Sequence, residues 1–234
     1  MTYCPDMSVT FPGVRWIFFD VGYTLFDETP AWQERFVALS AELKRRGRDV
    51  PVAAVWGVYN DLCEQFAPLQ WLGLCERLAT SPEEAKALAA MSGAWNHSLE
   101  TAYPASAAVL HGLHGRFELG VIANQSEGTI QRLAERKLGA YFDLVIGSAE
   151  AGVRKPDPAI FRLALDRAGC GAEQAVMVGD RLDNDVRPAR AIGMKTVHVR
   201  QGGSGRQRPR SADETPDAAV DGIADVLGLF APSA

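Results

Sequence analysis

The chain has 234 residues, of which 47% are hydrophobic and 23% are charged, proportions typical of a globular protein. Its net charge is −5 and its isoelectric point is about 5.4, which argues against a nucleic-acid partner held by attraction to phosphate. No segment approaches the roughly 20 apolar residues that a membrane-spanning helix needs. We therefore expect neither a nucleic-acid nor a membrane partner.

The four cysteines, Cys4, Cys63, Cys75 and Cys170, are scattered, and no histidine stands at metal-ligand spacing from them. This usage favours reduced thiols over a disulfide framework or a zinc site. Residues 1–12 lack the basic start and long apolar stretch of a signal peptide. These features predict a cytoplasmic protein.

The first predicted element is the apolar run Trp16-Ile17-Phe18-Phe19, which is typical of a fully buried strand. It ends at Asp20, and the turn 21–24 follows at once. A carboxylate at the carboxyl end of a central strand lies where α/β sheets bind ligands. Asp20 is therefore the first candidate for a functional residue.

The segment from Asp27 to Leu99 has a helical pattern and contains no convincing strand. Thr29-Pro30 predicts a helix start and Gly47 its end, while Ser81-Pro82 predicts a later start. Further helical patterns cover 51–66 and 81–99. The sequence therefore predicts a helical domain over 28–100, inserted into an α/β domain formed by 1–27 and 101–234.

Strand and helix patterns alternate after this insertion. The predicted elements are strands at 119–123, 142–146, 175–178 and 196–199 and helices at 127–137, 158–168, 186–192 and 223–230. Alternation of this kind indicates the α/β class, with a doubly wound parallel sheet covered by helices on both faces. The strand at 196–199 is predicted to be the last of the core.

A second pair of carboxylates follows the apolar run 176–179. Asp180 comes directly after this run, and Asp185 follows five residues later. Two strands that deliver acids to one edge of a sheet suggest a divalent cation with oxygen ligands. Lys155 could supply a counter-charge, which such a cluster needs if it is buried.

Three segments in this order resemble motifs one, three and four of the haloacid dehalogenase-like hydrolases. They are residues 20–25, Lys155-Pro156-Asp157 and residues 179–185, and the resemblance covers roughly residues 14–200. It implies a Rossmann-like core with a helical cap, Mg²⁺ as cofactor and an aspartate that is transiently phosphorylated. The implied activity is hydrolysis of a small phosphorylated metabolite.

The resemblance also implies a role for each matched residue. Asp20 would be the nucleophile and a Mg²⁺ ligand, and the Gly22 backbone carbonyl would be a second ligand. Asp180 would bind the metal directly, and Asp185 would bind it through water or support the ligands from behind. Lys155 would pair with Asp20 and bind the phosphoryl oxygens.

Two positions depart from the family pattern. Phosphatases of this family usually have a general-acid aspartate where this chain has Gly22, and such a group typically contributes 10²–10⁴-fold to the rate. They also usually place Ser or Thr at the end of the second motif's strand, where this chain has Ala123. Asn124, Ser126 or backbone N–H groups at the following helix start are the candidates to replace that phosphate-binding hydroxyl.

Two alternative functions stay open. Gly22 and Ala123 favour a catalytically weak scaffold that binds a phosphorylated ligand or a protein. A 2-haloacid dehalogenase would need no metal and would have tyrosine where this chain has Gly22, although Tyr23 follows one position later. Without a metal, Asp180 and Asp185 would repel the Asp20 carboxylate, which disfavours the dehalogenase.

We predict structural roles for the aromatic residues and histidines outside the motifs. Trp56, Tyr59, Trp71 and Trp95 in the inserted domain are predicted to be core residues. The four histidines, His97, His111, His114 and His198, show no ligand spacing, and surface or helix-capping positions are expected for most of them.

Overall fold

The structure is a computed structural model that describes residues 11–230. Cys4 lies outside the described residues. So does most of segment 1–12, for which no signal peptide is predicted. Within the described range, no helix is both long and apolar enough to cross a membrane. The chain divides into an α/β unit (up to Asp27, Ala102–Gln201 and from Arg208 on) and a helical unit (Glu28–Thr101 and Gly202–Gln207).

The described residues form eight strands and ten α-helices, numbered in chain order. The strands are β1 Trp16–Phe19, β2 Phe26–Asp27, β3 Thr101–Ala102, β4 Glu118–Ala123, β5 Leu144–Gly147, β6 Ala175–Gly179, β7 Lys195–Val199 and β8 Ala218–Val220. The helices are α1 Thr29–Arg45, α2 Val52–Glu64, α3 Gln70–Leu78, α4 Pro82–Ala89, α5 Ser106–Leu113, α6 Thr129–Glu135, α7 Ser148–Ala151, α8 Pro158–Ala168, α9 Arg187–Ala191 and α10 Ile223–Val226.

Six of the strands form one parallel sheet in the order β5-β4-β1-β6-β7-β8. From β1 the chain builds β4 and β5 on one side, then returns to build β6, β7 and β8 on the other. The predicted doubly wound α/β fold is therefore confirmed. Because the winding direction reverses at β1, the carboxyl end of β1 is the switch point where such folds bind ligands.

Residues of β1 alternate between the two faces of the sheet, as the geometry of a strand requires. Ile17 and Phe19 join a buried cluster with residues of α5, α6 and α10. Trp16 and Phe18 join a second buried cluster with residues of α8 and α9. Because both faces are covered by helices, all four residues of β1 are buried, which explains why the strand has an unbroken apolar sequence.

Three features of the α/β unit and the helical unit differ from the sequence predictions. The last core strand is β8 and not β7, because the Ala-Ala-Val segment has only three residues, too few to predict a strand, and it pairs with β7 in the folded chain. Helices α3 and α5 were not predicted. The helix predicted over 81–99 ends at Ala89, and Gly93, with φ at 58°, lies in the left-handed region, which ends the helical path.

The helical unit has its own core. Phe36, Leu39 and Leu43 of α1 are fully buried, as the helical pattern of that segment predicted. Ser81 caps α4, its Oγ accepting the backbone N–H of Glu84 at 3.2 Å, which confirms the predicted start. Tyr59 is buried in the same core, and three tryptophans, Trp32, Trp56 and Trp71, pack against it.

The segment Gly202–Gln207, here called the strap, packs on α2 although it follows β7 in the chain. Gln207 is buried and its Nε2 donates a hydrogen bond of 2.8 Å to the Cys63 carbonyl. A Cβ on Gly203 would lie 2.8 Å from the Tyr59 ring and 2.9 Å from Cys63 Sγ. The close approach of the strap to α2 therefore requires glycine at position 203.

Replacing Gly203 with alanine is expected to lower the free energy of unfolding by about 1–3 kcal/mol, because the methyl group overpacks a filled site. Urea unfolding followed by tryptophan fluorescence measures the change. Gly57→Ala is the matched control: it lies on α2, and its Cβ would meet nothing within 4 Å. That control is expected to raise stability by roughly 0.5–1 kcal/mol through helix propensity. Equal effects of the two substitutions would show that the strap is loosely packed.

Candidate active site

Asp20 follows β1 directly and therefore stands at the switch point of the sheet. Its backbone N–H donates to the Val178 carbonyl of β6 at 2.9 Å, so the ladder between the two strands continues to this residue. Its side chain is 14% exposed. The carboxylate is thus held by rigid neighbouring strands while keeping some access to solvent.

The turn after Asp20 is closed by the Val21 carbonyl, which accepts the N–H groups of Leu25 and Phe26 at 2.9 Å each. Tyr23, with φ at 50°, is the residue of this turn in the left-handed region, and Gly22 is not. The backbone φ therefore does not require glycine at position 22. The Gly22 carbonyl as a metal ligand stays a prediction.

Asp180 and Asp185 come from the end of β6 and from the single π-helical turn Leu182–Val186 that follows it. Asp180 is 3% exposed and Asp185 is 0% exposed. A Cβ on Gly179 would lie 2.4 Å from the Asp185 carboxylate, so glycine leaves the space for this side chain. The Asp185 carboxylate also accepts the backbone N–H of Arg181 at 3.0 Å, which closes the turn.

Lys155 lies in the loop before α8, and its side chain is 2% exposed. Its Nζ lies 2.7 Å from Asp20 Oδ1 and 2.6 Å from Asp185 Oδ1. The predicted pairing of Lys155 with Asp20 is thus present in the geometry, and the lysine also joins Asp20 to Asp185. Burial alone would lower the pKa of Lys155, but the two carboxylates outweigh it and raise that pKa.

Negative charge remains in excess at this edge of the sheet. Burial, reinforced by Asp185 and Asp20, raises the pKa of Asp180 well above its usual range. Burial also raises the pKa of Asp185 to about 6, although Lys155 acts in the opposite direction. The Lys155 ammonium bonds Asp20 and Asp185, and Arg181 acts on Asp180, yet burial and the neighbouring carboxylates keep the pKa values of Asp180 and Asp185 raised.

The same cluster fits a divalent cation. Asp20, Asp180 and Asp185 each offer one carboxylate oxygen, and these atoms lie within 4.8 Å of one another. Mg²⁺ takes oxygen ligands at roughly 2.0–2.1 Å, so atoms this close can share one ion. The donor type, the spacing and the closeness of three carboxylates therefore all suit Mg²⁺.

Two residues at the end of β4 bear on phosphate binding. Ala123 stands where the family usually has Ser or Thr, and Asn124 is a candidate to replace that hydroxyl. Ala123 is fully buried and ends the strand. The Asn124 side chain turns to the Lys155 backbone: Nδ2 donates to the Lys155 carbonyl at 2.9 Å, and Oδ1 accepts the Lys155 N–H at 2.8 Å. Phosphate binding by Asn124 stays a prediction, and the contact shown is with Lys155.

Two features near the cluster were not identified from the sequence. His198 on β7 is buried, and its Nε2 donates to the Asp180 carbonyl at 2.9 Å. Burial lowers its pKa to about 4, so it holds the backbone of Asp180 as a neutral side chain. Arg181 makes two hydrogen bonds to Asp183, of 3.0 and 2.6 Å. The signal available in the sequence for His198 was a polar residue between Val197 and Val199, two apolar residues of β7.

Comparison with known proteins agrees with this geometry. A family model described as haloacid dehalogenase-like hydrolase matches residues 14–193. Phosphoglycolate phosphatase 1 of Pseudomonas aeruginosa is 29% identical over 218 residues, which are 91% of this chain and 78% of that protein. The crystal structure of a 2-haloacid dehalogenase from Pseudomonas syringae has a TM-score of 0.58 and 27% identity, covering 92% of this chain and 97% of that one.

Some similarities are local. Glyceraldehyde 3-phosphate phosphatase of Methanopyrus kandleri is 40% identical over 99 residues, which are 42% of each chain. In this match and in matches to two other phosphatases, the chain spans only about two fifths of the relative's length. The match of the family model over most of the chain nevertheless defines the class. This chain belongs to the haloacid dehalogenase-like hydrolases, which confirms the resemblance of its three motifs.

Proposed function

We propose that this protein is a Mg²⁺-dependent phosphatase that hydrolyses a small phosphorylated metabolite through an aspartyl-phosphate on Asp20. The observation that carries the proposal is the buried cluster of Asp20, Lys155, Asp180 and Asp185 at the switch point of the sheet. Relatives named as phosphatases of glyceraldehyde 3-phosphate, phosphoserine and phosphoglycolate support a small phosphorylated substrate.

In this mechanism the Asp20 carboxylate attacks the phosphorus atom and displaces the alcohol or acid of the substrate. Water then attacks the aspartyl-phosphate and releases orthophosphate. Splitting hydrolysis into two displacements is the advantage of a carboxylate nucleophile. The Lys155 ammonium, 2.7 Å from Asp20 Oδ1, holds the Asp20 carboxylate in place and supplies a positive charge for the phosphoryl oxygens.

The metal would be held by Asp20, Asp180 and the Gly22 carbonyl, with Asp185 bound directly or through water. When bound, Mg²⁺ would offset the excess negative charge and stabilise the charge on the transferring phosphoryl group. His198 keeps the Asp180 backbone in place through its hydrogen bond to the Asp180 carbonyl.

We further propose that the helical unit is the cap implied by the family resemblance. A cytoplasmic location is also proposed, which the free thiols of Cys75 and Cys170 support.

A screen of phosphorylated metabolites with Mg²⁺, followed by release of orthophosphate, tests the function. Phosphoglycolate, phosphoserine and glyceraldehyde 3-phosphate belong in the first panel because relatives carry those names. Turnover of at least one ester or acyl phosphate is expected. Binding without turnover across the panel would favour the scaffold, and halide release from a 2-haloacid would favour the dehalogenase.

The missing general acid at Gly22 predicts a preference among substrates. Leaving groups that are weak bases depart without a proton, so acyl and aryl phosphates should react faster than alkyl phosphates. Gly22→Asp is expected to narrow the ratio of aryl to alkyl rates by up to about 10²-fold, the lower end of acid catalysis. The ratio of kcat/KM for p-nitrophenyl phosphate and for phosphoglycolate measures it.

Gly22→Asn is the matched control for this prediction, because it adds a side chain of the same size without an acidic proton. It should leave the ratio unchanged. The substitution at Gly22 is structurally reasonable because Gly22 does not lie in the left-handed region. A folded, Mg²⁺-binding Gly22→Asp protein with the wild-type ratio would show that the proton comes from another group.

A further inference from the structure

We infer that Asn124 is a positioning residue that acts through Lys155: it fixes the lysine backbone so that Nζ reaches both Asp20 and Asp185. The Asn124 amide makes two hydrogen bonds to one residue, donating to the Lys155 carbonyl and accepting the Lys155 N–H, at 2.9 and 2.8 Å. We call this pair of bonds the Asn124 clamp. It joins residues 31 positions apart in the chain.

The clamp is needed because of the lysine's own flexibility. A lysine side chain has a flexible stem of four carbons and carries about 2 kcal/mol of rotamer entropy. The ammonium group must nevertheless lie within hydrogen-bond distance of two carboxylates at once, 2.7 Å from Asp20 and 2.6 Å from Asp185. Hydrogen bonds to both polar groups of the Lys155 backbone hold the main chain in place, so the side chain extends from a fixed position.

The residues that follow Asn124 are themselves anchored, so the clamp has a rigid base. Arg132 of α6 is largely buried and donates to the carbonyls of Glu127 and Ser126, at 2.6 and 2.8 Å. The backbone N–H of Gln125 donates to Ser148 Oγ at 3.2 Å. Asn124 also follows β4, the neighbour of β1 in the sheet. The clamp therefore ties the Lys155 loop to the strand beside the one that carries Asp20.

The other side of the Lys155 loop is held independently. Asp157 caps α8, its Oδ1 accepting the Ala159 N–H at 2.9 Å, and its own N–H donates to the Arg154 carbonyl at 3.0 Å. These bonds fix the entry to α8 but contact neither polar group of the Lys155 backbone. Asn124 supplies that contact, which distinguishes its role from direct phosphate binding.

A double-mutant cycle tests the clamp, and this kinetic part rests on the proposed phosphatase activity. With p-nitrophenyl phosphate, Asn124→Ala is expected to lower kcat by about 10–10²-fold in the wild-type background, because displacing a catalytic group by an ångström costs about this much. In a Lys155→Met background the same substitution should cost less than about 2-fold, since there is no ammonium group left to position. Equal losses in both backgrounds would overturn the inference, because they would mean that Asn124 acts without Lys155.

A second measurement does not depend on phosphatase activity. In protein labelled with ¹⁵N at lysine Nζ, the buried Lys155 ammonium should give a slowly exchanging N–H signal that Asn124→Ala removes. The matched control is Gln125→Ala, which deletes the neighbouring amide, a partner of Arg132 and not of Lys155. The control should keep the signal. Loss of the signal in Asn124→Ala alone supports the clamp even if no phosphate ester is hydrolysed, and an unchanged signal in Asn124→Ala overturns it.

Discussion

Asp20→Asn is expected to lower the turnover of p-nitrophenyl phosphate by at least about 10⁴-fold, because an amide cannot form the covalent phosphoryl intermediate. Asp185→Asn should leave residual activity with weaker dependence on Mg²⁺, since Asp185 bonds Lys155 and, in the proposed mechanism, helps to hold the metal without attacking phosphorus. Steady-state rates at several Mg²⁺ concentrations separate the two effects. Beryllofluoride should bind next to Asp20 in the wild-type protein and fail to bind in Asp20→Asn.

Asp183→Asn is the matched control for these substitutions. Asp183 lies in the same π-helical turn as Asp185, but its carboxylate bonds Arg181 and is not part of the three-acid cluster. Most of the activity should remain in this variant. Wild-type turnover by Asp20→Asn would remove the central claim of the proposed function, because the nucleophile would then be another group.

Removal of divalent metal with a chelator is expected to abolish turnover, and excess Mg²⁺ is expected to restore it. Without the cation, the Lys155 ammonium pairs with Asp20 and Asp185, and the Asp180 carboxylate lies close to both of them. Repulsion among them would oppose the approach of an anionic substrate. Rates with chelator, with added Mg²⁺ and with chelator followed by Mg²⁺ measure the effect.

Thermal unfolding gives a control that needs no substrate. Mg²⁺ should raise the Tm of the wild-type protein, because an ion that binds only the folded state stabilises it by mass action. The increase should be smaller in Asp180→Asn, which lacks one proposed ligand. Full activity in chelator, together with no effect of Mg²⁺ on Tm, would contradict the metal site and revive the dehalogenase hypothesis.

Features that depend on short-range pattern could be predicted from the amino-acid sequence. The apolar runs that became β1 and β6 are contiguous, so their burial and the acids that follow them were visible. The order of Asp20, Lys155 and the acid pair also identified the family. Parallel strands place their carboxyl ends at one edge, and this rule was enough to predict that Asp20 and Asp180 would come close together.

Contacts between side chains that are far apart in the chain could not be predicted in the same way, because they depend on the complete fold. Lys155 and Asp20 are 135 positions apart, and Gln207 and Cys63 are 144 apart, so no local period connects them. In the folded chain, the Asn124 amide bonds the Lys155 backbone, and the His198 ring bonds the Asp180 carbonyl. A polar side chain buried during folding bonds whichever partner the packing brings near, and that partner is set by the complete fold and not by its neighbours in sequence.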